Sequence, residues 1–423
     1  MAITAIKGMS DIYSPEVEVW QHIEEKARQL FARFGFRELR TPILEKTELF
    51  ARSIGEDTDI VQKEMYTFPD RKGNMLTLRP EATASIVRAI IQHRLYNVPT
   101  MGKFFAIGPM FRYERPQKGR YRQFHQVDAE VVGSKEPVVD AEVMYWAMLF
   151  LEEIGIRDSE LHINSLGCPE CRSPFRERLV KYLREYEESF CKDCGRRIYT
   201  NPLRVFDCKV EKCKEIVKGA PKVLDSLCGE CKKHFEKVLF FLDKTRCTYK
   251  LNHHLVRGLD YYNRTAFEII ASGLGAQNAV GGGGRYDGLF KELGGPDIPA
   301  VGFALGIERL LIVLKESSPQ LKIGVPDLYM IALGEKAQEV CFSIAQGLRK
   351  KEIYVEMGYE LKSLKSQMRR ADKFGAVHVL IIGENELEKG IAILRNMVTK
   401  KQSEIALDEV ENILVERIKK ESE

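Results

Sequence analysis

A chain of 423 residues is long enough for two or three domains with cores of their own, and a composition of 44% hydrophobic and 30% charged residues excludes a disordered or fibrous protein. The net charge of +4 is too small to announce a nucleic-acid partner by itself. No stretch approaches the roughly 20 apolar residues of a membrane span, and residues 1–13 lack the apolar segment of a secretory signal, so the expected location is cytoplasmic with the ten cysteines reduced or metal-bound.

In chain order, Trp20, Ile23, Ala27, Leu30, Phe31 and Phe34 recur at helical spacing, with Ser14 and Pro15 before them and Gly35 after, which predicts an amphipathic helix over 16–34. Residues 35–42, GFRELRTP, follow as a short strand ended by proline. A strand over 76–81, LTLRPE, leads into a helix over 82–96. Glu81 and Thr83 at that junction read either as a helix cap with a first-turn acid or as a pair that binds an ammonium group.

Residues 102–133 predict strand, basic loop, strand. Phe104, Phe105, Ile107, Met110 and Phe111 supply the first strand, and Phe124, Val127, Val131 and Val132 the second. Between them Arg112, Arg115, Lys118, Arg120 and Arg122 fall within eleven residues, a density of guanidinium forks suited to polyphosphate. Gln126, Asp128 and Glu130 share one face of the second strand. Buried polar side chains are costly without partners, so that face is expected to line a site.

An apolar helix is predicted over 141–151, after which the composition changes. Residues 165–250 carry 20 Lys and Arg against 13 Asp and Glu, an excess of seven that leaves −3 on the remainder. Such a module suits a polyanion, although a solvated Lys-rich face has the same count. The same region holds Cys168, Cys171, Cys191, Cys194, Cys208, Cys213, Cys228 and Cys231, three C-x2-C pairs and one C-x4-C pair. Four thiolates close a structural zinc site, and eight suffice for two. Spacing leaves open which pair joins which, and free buried thiols remain the alternative. Helices are predicted at 177–186 and 230–242.

Residues 255–269 predict a strand, on which Tyr261 and Tyr262 would alternate sides and so could not face one pocket. The four glycines of VGGGGRYDGL, 280–289, predict a flexible turn, not a phosphate-binding P-loop, because the Gly-Lys-Ser/Thr ending is missing. Residues 301–314 read as a strand entering an apolar helix whose one cation, Arg309, is expected to have an anionic partner. Beyond a linker, strands at 327–333, 353–355, 377–382 and 391–397 alternate with helices at 336–350, 361–374 and 408–418, a compact α/β domain with a parallel or mixed sheet.

Several of these stretches carry a resemblance. FRYERPQKGRYRQFHQ is similar to motif 2 of the class II aminoacyl-tRNA synthetases in the form used by histidyl-tRNA synthetases, and RGLDYY resembles the histidine-specific motif of that family. GFRELRTP resembles motif 1, the dimer element, and VGFALGIERLLIVL motif 3. The resemblance extends over nearly the whole chain, with the cysteine spacing as its least shared part. It implies an α/β multidomain protein: a class II catalytic domain with an antiparallel sheet flanked by helices at 1–165 and 251–318, interrupted by a mainly helical Cys-rich insertion at 166–250. A linker at 319–326 and an α/β anticodon-binding domain at 327–423 complete it.

The activity implied is ATP-dependent ligation of L-histidine to tRNA-His through a histidyl-adenylate, with Mg as the ATP counterion, by a homodimer away from membranes. Glu81, Thr83 and Gln126 match residues that hold the substrate's amino group. Glu130, Arg257, Tyr261, Tyr262 and Tyr286 match the rest of the histidine site, and Arg112, Arg120, Phe124 and Arg309 the ATP site. Arg112 and Arg257 match the groups that stabilise charge at the α-phosphate, and Arg115 and Gln117 match contacts to the tRNA acceptor end. A non-catalytic, histidine-sensing paralogue that regulates ATP phosphoribosyltransferase is the alternative the same fold implies.

Overall fold

The alternation of side chains along one strand sets the architecture. In the computed structural model, which describes residues 3–55, 58–96, 102–274, 278–317 and 324–422, the strands Gly102–Phe111 and Gln123–Val132 pair antiparallel along their full lengths. Val127, Ala129 and Val131 turn into the main hydrophobic core. Gln126, Asp128 and Glu130, one residue out of phase, point to the other face.

Around this pair the sheet runs in the order Arg37–Glu38, Gly102–Phe111, Gln123–Val132, Ala300–Gly306, Ala279–Arg285, Asn263–Ala271, Ser159–Ser165, Tyr249–Leu251. Its inner neighbours are antiparallel, and only the short strand at each edge pairs parallel. The helices Glu16–Arg33, Pro137–Glu153, Gly229–Lys244 and Ile307–Ser317 cover the apolar face, with Phe31 stacked between Phe105 and Trp146. The helix Gly229–Lys244 adds Phe235, Val238 and Leu242 to this core. The remainder of the cysteine-rich stretch builds a small core of its own from Phe175, Leu179, Leu183, Ile198, Val205 and Val217.

Two stretches depart from the sequence reading. Residues 255–262 form bends and turns, and the strand begins only at Asn263. The backbone groups of that turn are paired outside the sheet: the Asp260 N–H donates to the Ile54 carbonyl, and the Gly258 and Tyr262 carbonyls accept from Arg204 and Arg172. With those groups engaged no ladder can form. The glycine run, conversely, is no turn but an inner strand, Ala279–Arg285. Its lack of side chains permits close approach: a Cβ on Gly282 would lie 2.7 Å from Arg257 Nη1 and 2.6 Å from the Phe267 carbonyl oxygen. The strand expected over 76–81 is Met75–Leu78, and it pairs in a three-stranded sheet with Leu44–Lys46 and Tyr66–Pro69, two strands the sequence reading lacks.

The chain divides into two units, Met1–Gln320 and Leu321–Glu423. The second has a five-stranded sheet in the order Val355–Met357, Leu328–Leu333, His378–Gly383, Ile391–Asn396, Gln402–Ala406, parallel over the first three and antiparallel over the last two. The alternation of strand and helix thus makes a mixed sheet, as expected; the strand Gln402–Ala406 is additional. Residues 319–323 of the expected linker lie outside the described residues.

Arg285 ends the glycine strand fully buried. Its guanidinium pairs with the equally buried Asp140 and with Asp287 at 3.1 Å, and donates to the Ser134 carbonyl at 2.8 Å. An uncompensated buried charge costs far more than the pair contributes. Asp140→Ala is therefore expected to lower stability by about 3–5 kcal/mol in urea unfolding. An unchanged midpoint would contradict the pairing.

Candidate active site

The polar face of the strand Gln123–Val132 forms the floor of a cavity walled by the basic loop, the turn at 257–262 and the start of the helix Thr83–Gln92. At one end, Glu81 lies between the strand Met75–Leu78 and the helix Thr83–Gln92. Its carboxylate accepts the backbone N–H groups of Thr83 at 2.8 Å and Ala84 at 2.9 Å, so it caps the helix while also lining the cavity. The helix-capping reading of Glu81 therefore holds, and capping leaves its carboxylate on the cavity wall. Burial raises its pKa, partly countered by those N–H groups.

Behind this end, Glu130 accepts from the Thr83 hydroxyl at 2.6 Å and from the Tyr286 hydroxyl. Burial pushes its carboxyl up to about 8 despite both donors. Gly302 on the neighbouring strand makes this possible, because a Cβ there would overlap the Glu130 carboxylate. Gln126 Oε1 and Asp128 Oδ2 are buried with no hydrogen-bond partner among the described residues. Two orphaned acceptors beside Glu81 suit a cationic donor such as an ammonium group.

Four arginines also line the cavity, the first of them beside Glu81. Arg112 donates from Nε to the Pro80 carbonyl at 2.9 Å, and its guanidinium lies 5.3 Å from the centre of the Phe124 ring. Arg309 donates to the carbonyls of Gly119 at 3.0 Å and Ala279 at 2.5 Å. The anionic partner expected of Arg309 is thus replaced by carbonyls, because the neighbouring Glu308 is taken by His125, whose N–H donates to it at 2.9 Å. Arg120 pairs with Glu114 at 2.8 Å and Arg257 with Glu268 at 3.3 Å. Carbonyl partners orient Arg112 and Arg309 without neutralising them, and burial lowers the pKa of Arg309. That arrangement suits an anionic ligand.

Of the residues singled out in the sequence, Glu81, Thr83, Arg112, Arg120, Phe124, Gln126, Arg257, Tyr261, Tyr262 and Arg309 line this one cavity. Tyr261 and Tyr262 both line it, contrary to the alternation expected of a strand, because the turn frees them from opposite faces. Glu130 and Tyr286 lie in the layer behind. Arg115 and Gln117 are exposed on the basic loop outside the cavity. Asp128, which the sequence reading puts on the site-lining face without a role of its own, lines the cavity, whereas sequence reasoning assigns no role to Glu268 or Glu308. For Glu268 a signal existed: it alternates with the core residues Phe267 and Ile269.

The eight cysteines sort into two sets, Cys168 with Cys171, Cys228 and Cys231, and Cys191 with Cys194, Cys208 and Cys213. Within each set the ligating sulfurs all lie within 4.8 Å of one another. The pairing left open by spacing is therefore nested, the outer pairs enclosing the inner ones.

A family model described as histidyl-tRNA synthetase matches residues 8–172 and 176–310, and one described as an anticodon binding domain matches 327–417. The chain belongs to the histidyl-tRNA synthetase family. It is 54% identical to a histidine–tRNA ligase of Desulfatibacillum aliphaticivorans over 96% of this chain and 97% of that one. Identity to the histidine–tRNA ligase of Syntrophotalea carbinolica is 51% over 99% of each chain. The crystal structure of apo S. aureus histidyl-tRNA synthetase superposes with a TM-score of 0.79 at 36% identity, covering 98% of this chain and all of that one. In a histidyl-tRNA synthetase, a cavity lined both by unpaired acceptors and by arginines suits a zwitterionic amino acid together with a polyphosphate.

The buried Glu130 has a consequence for stability. Between pH about 4.5, where such a carboxyl ionises in the unfolded chain, and about 8, the folded protein keeps a proton that the unfolded chain has released. Stability at this position therefore falls as pH rises through that window, by up to about 1.4 kcal/mol per pH unit. Urea unfolding of the protein and of Glu130→Gln at several pH values is expected to show this slope removed by the substitution. Parallel curves would refute it.

Proposed function

We propose that the chain activates L-histidine with ATP and transfers the histidyl group to tRNA-His, releasing diphosphate and AMP. The observation that carries this reading is the pairing of two kinds of group in one cavity. Orphaned acceptors and Glu81 suit a substrate ammonium, and arginines held by carbonyls suit phosphates.

In this reading Glu81, Thr83 and Gln126 bind the α-amino group. Tyr262 and, from the layer behind, Glu130 are assigned to the imidazole, with Tyr261 and Tyr286 shaping that pocket. Phe124 stacks on adenine. Arg112 and Arg257 stabilise the charge that builds on the α-phosphate as the histidine carboxylate attacks, and Arg120 with Arg309 the departing diphosphate. Catalysis is then positioning plus electrostatics, with no protein nucleophile. Mg accompanies ATP as its counterion, and the tRNA 3′-terminal ribose hydroxyl attacks the adenylate. A site that pairs both imidazole nitrogens rejects analogues lacking them by roughly 10⁴–10⁵, which makes an editing domain unnecessary.

Arg115 and Gln117 on the exposed loop are assigned to the acceptor end of tRNA, and residues 327–423 to the anticodon. The segment at 35–42 is assigned to a homodimer interface through its likeness to motif 1. Action in the cytoplasm is assigned with the family's activity; among the described residues no helix is long and apolar enough to cross a membrane. The chemistry of the two four-cysteine sets fits zinc, which when bound supplies structural cross-links within the insertion. The histidine-sensing alternative is disfavoured by the full set of ATP-facing arginines and by the match to an anticodon binding domain.

Histidine-dependent ATP/diphosphate exchange, run beside the other nineteen amino acids, tests this reading; exchange with histidine alone is expected, and histidine binding without exchange would return the sensor. Glu130→Ala is expected to abolish activation while leaving a folded protein. Arg257→Lys is expected to lower turnover by about 10²-fold with little change in the KM for histidine, since a point charge does not replace the fork.

A further inference from the structure

One set of cysteines lies against the turn that carries the histidine-specific residues. A zinc ion about 2.3 Å from each of four sulfurs requires the sulfurs to be about 3.8 Å apart. Cys168 Sγ lies 3.5 Å from Cys171 Sγ and 4.0 Å from Cys228 Sγ. The Cys228 N–H points at Cys171 Sγ at 3.1 Å and the Cys231 N–H at Cys228 Sγ at 3.5 Å, the backbone donation that stabilises thiolates.

The same knuckles hold the backbone of residues 262–264 at several points. Arg172, next in sequence to Cys171, donates from Nη2 to the Tyr262 carbonyl and from Nε to the Leu166 carbonyl at 3.4 Å. The Leu166 N–H donates to the Arg264 carbonyl at 2.6 Å, and the Arg264 N–H to the Gly167 carbonyl at 3.0 Å. The Arg264 guanidinium reaches Glu230, between Cys228 and Cys231, at 2.7 Å. Arg264 itself has φ +49°, a conformation a non-glycine residue keeps only when its surroundings hold it. Tyr262, two residues earlier, lines the cavity and lies 5.6 Å from the Arg257 guanidinium.

We propose that zinc bound by Cys168, Cys171, Cys228 and Cys231 is a clamp that acts through Arg172 and Arg264 to position Tyr262, so that metal occupancy sets the affinity for histidine. The inference rests on the histidine pocket assigned above, and it makes Arg172 a positioning residue rather than a catalytic one. The cost of holding Arg264 left-handed is then met by a cross-link outside the catalytic sheet. Losing the metal lets the turn relax, and the pocket loses its shape before the sheet loses its fold.

The test reads metal and binding without relying on catalysis. The full chain, purified without added metal, is analysed for zinc, and its histidine affinity is measured by titration calorimetry; two zinc ions per chain are expected from the two sets. Cys231→Ser is expected to lose one zinc and weaken histidine binding by about tenfold or more, the usual effect of disturbing the support of a metal site, with ATP binding unchanged. Should Cys231→Ser fail to fold, Arg172→Ala carries the test: both zinc ions kept, histidine binding weakened, and partial recovery in Arg172→Lys. Zinc-free wild-type protein, or histidine affinity untouched by either substitution, would overturn the proposal. Intact histidine binding without ATP/diphosphate exchange would instead count against the ligase reading and leave the clamp standing on its own measurement.

Discussion

Everything in the catalytic unit depends on the two-residue period of the strand Gln123–Val132. Val127, Ala129 and Val131 anchor one face to the helices, and this puts Gln126 and Asp128 on the cavity floor and buries Glu130 behind it. A shift of one residue in register would exchange the two sets and destroy core and site together. The neighbouring strand Ala300–Gly306 enforces the register, since only Gly302 opposite Glu130 leaves room for its carboxylate.

The site is built from polar groups held by partners that do not cancel them. Arg112 and Arg309 are fixed by main-chain carbonyls, and Glu81 by main-chain N–H groups. Such partners orient a charge while leaving most of it for a ligand, and a preorganised charge needs no rearrangement during reaction. Where a carboxylate does meet an arginine, Glu114 with Arg120 and Glu268 with Arg257, the pair lines the cavity and is open to exchange with an incoming phosphate.

The cysteine-rich insertion is joined to this machinery through backbone contacts at the turn of residues 257–264. Its last helix, Gly229–Lys244, reaches the main core, while Arg172 and Arg204 donate to carbonyls of the turn. A module whose spacing shows only metal ligation thus acquires a position beside the histidine-specific segment.

Much of this was legible before any coordinates. The helical spacing from Trp20 to Phe34, the paired strands about the basic loop and the α/β alternation after residue 326 depend on neighbours close in sequence, and the structure has each of them. The motif-like strings also carried the family and ten residues of one cavity. Other features depend on partners distant in sequence. Glycines at 281–284 looked like a turn because nothing local shows that strands 263–271 and 300–306 flank them, and Tyr261 and Tyr262 looked incompatible because nothing local shows that Arg172 and Arg204 capture the backbone of their turn. The nesting of the cysteine pairs and the retreat of Glu130 behind Thr83 belong to the same class. Sequence alone determined which side chains alternate, which can ligate a metal and which family the motifs match, because those are properties of local order and chemical type. Tertiary structure decided which of them meet, because burial and hydrogen bonding are settled by residues 60 to 180 positions away, as between Cys168 and Cys228 or Glu81 and Tyr261.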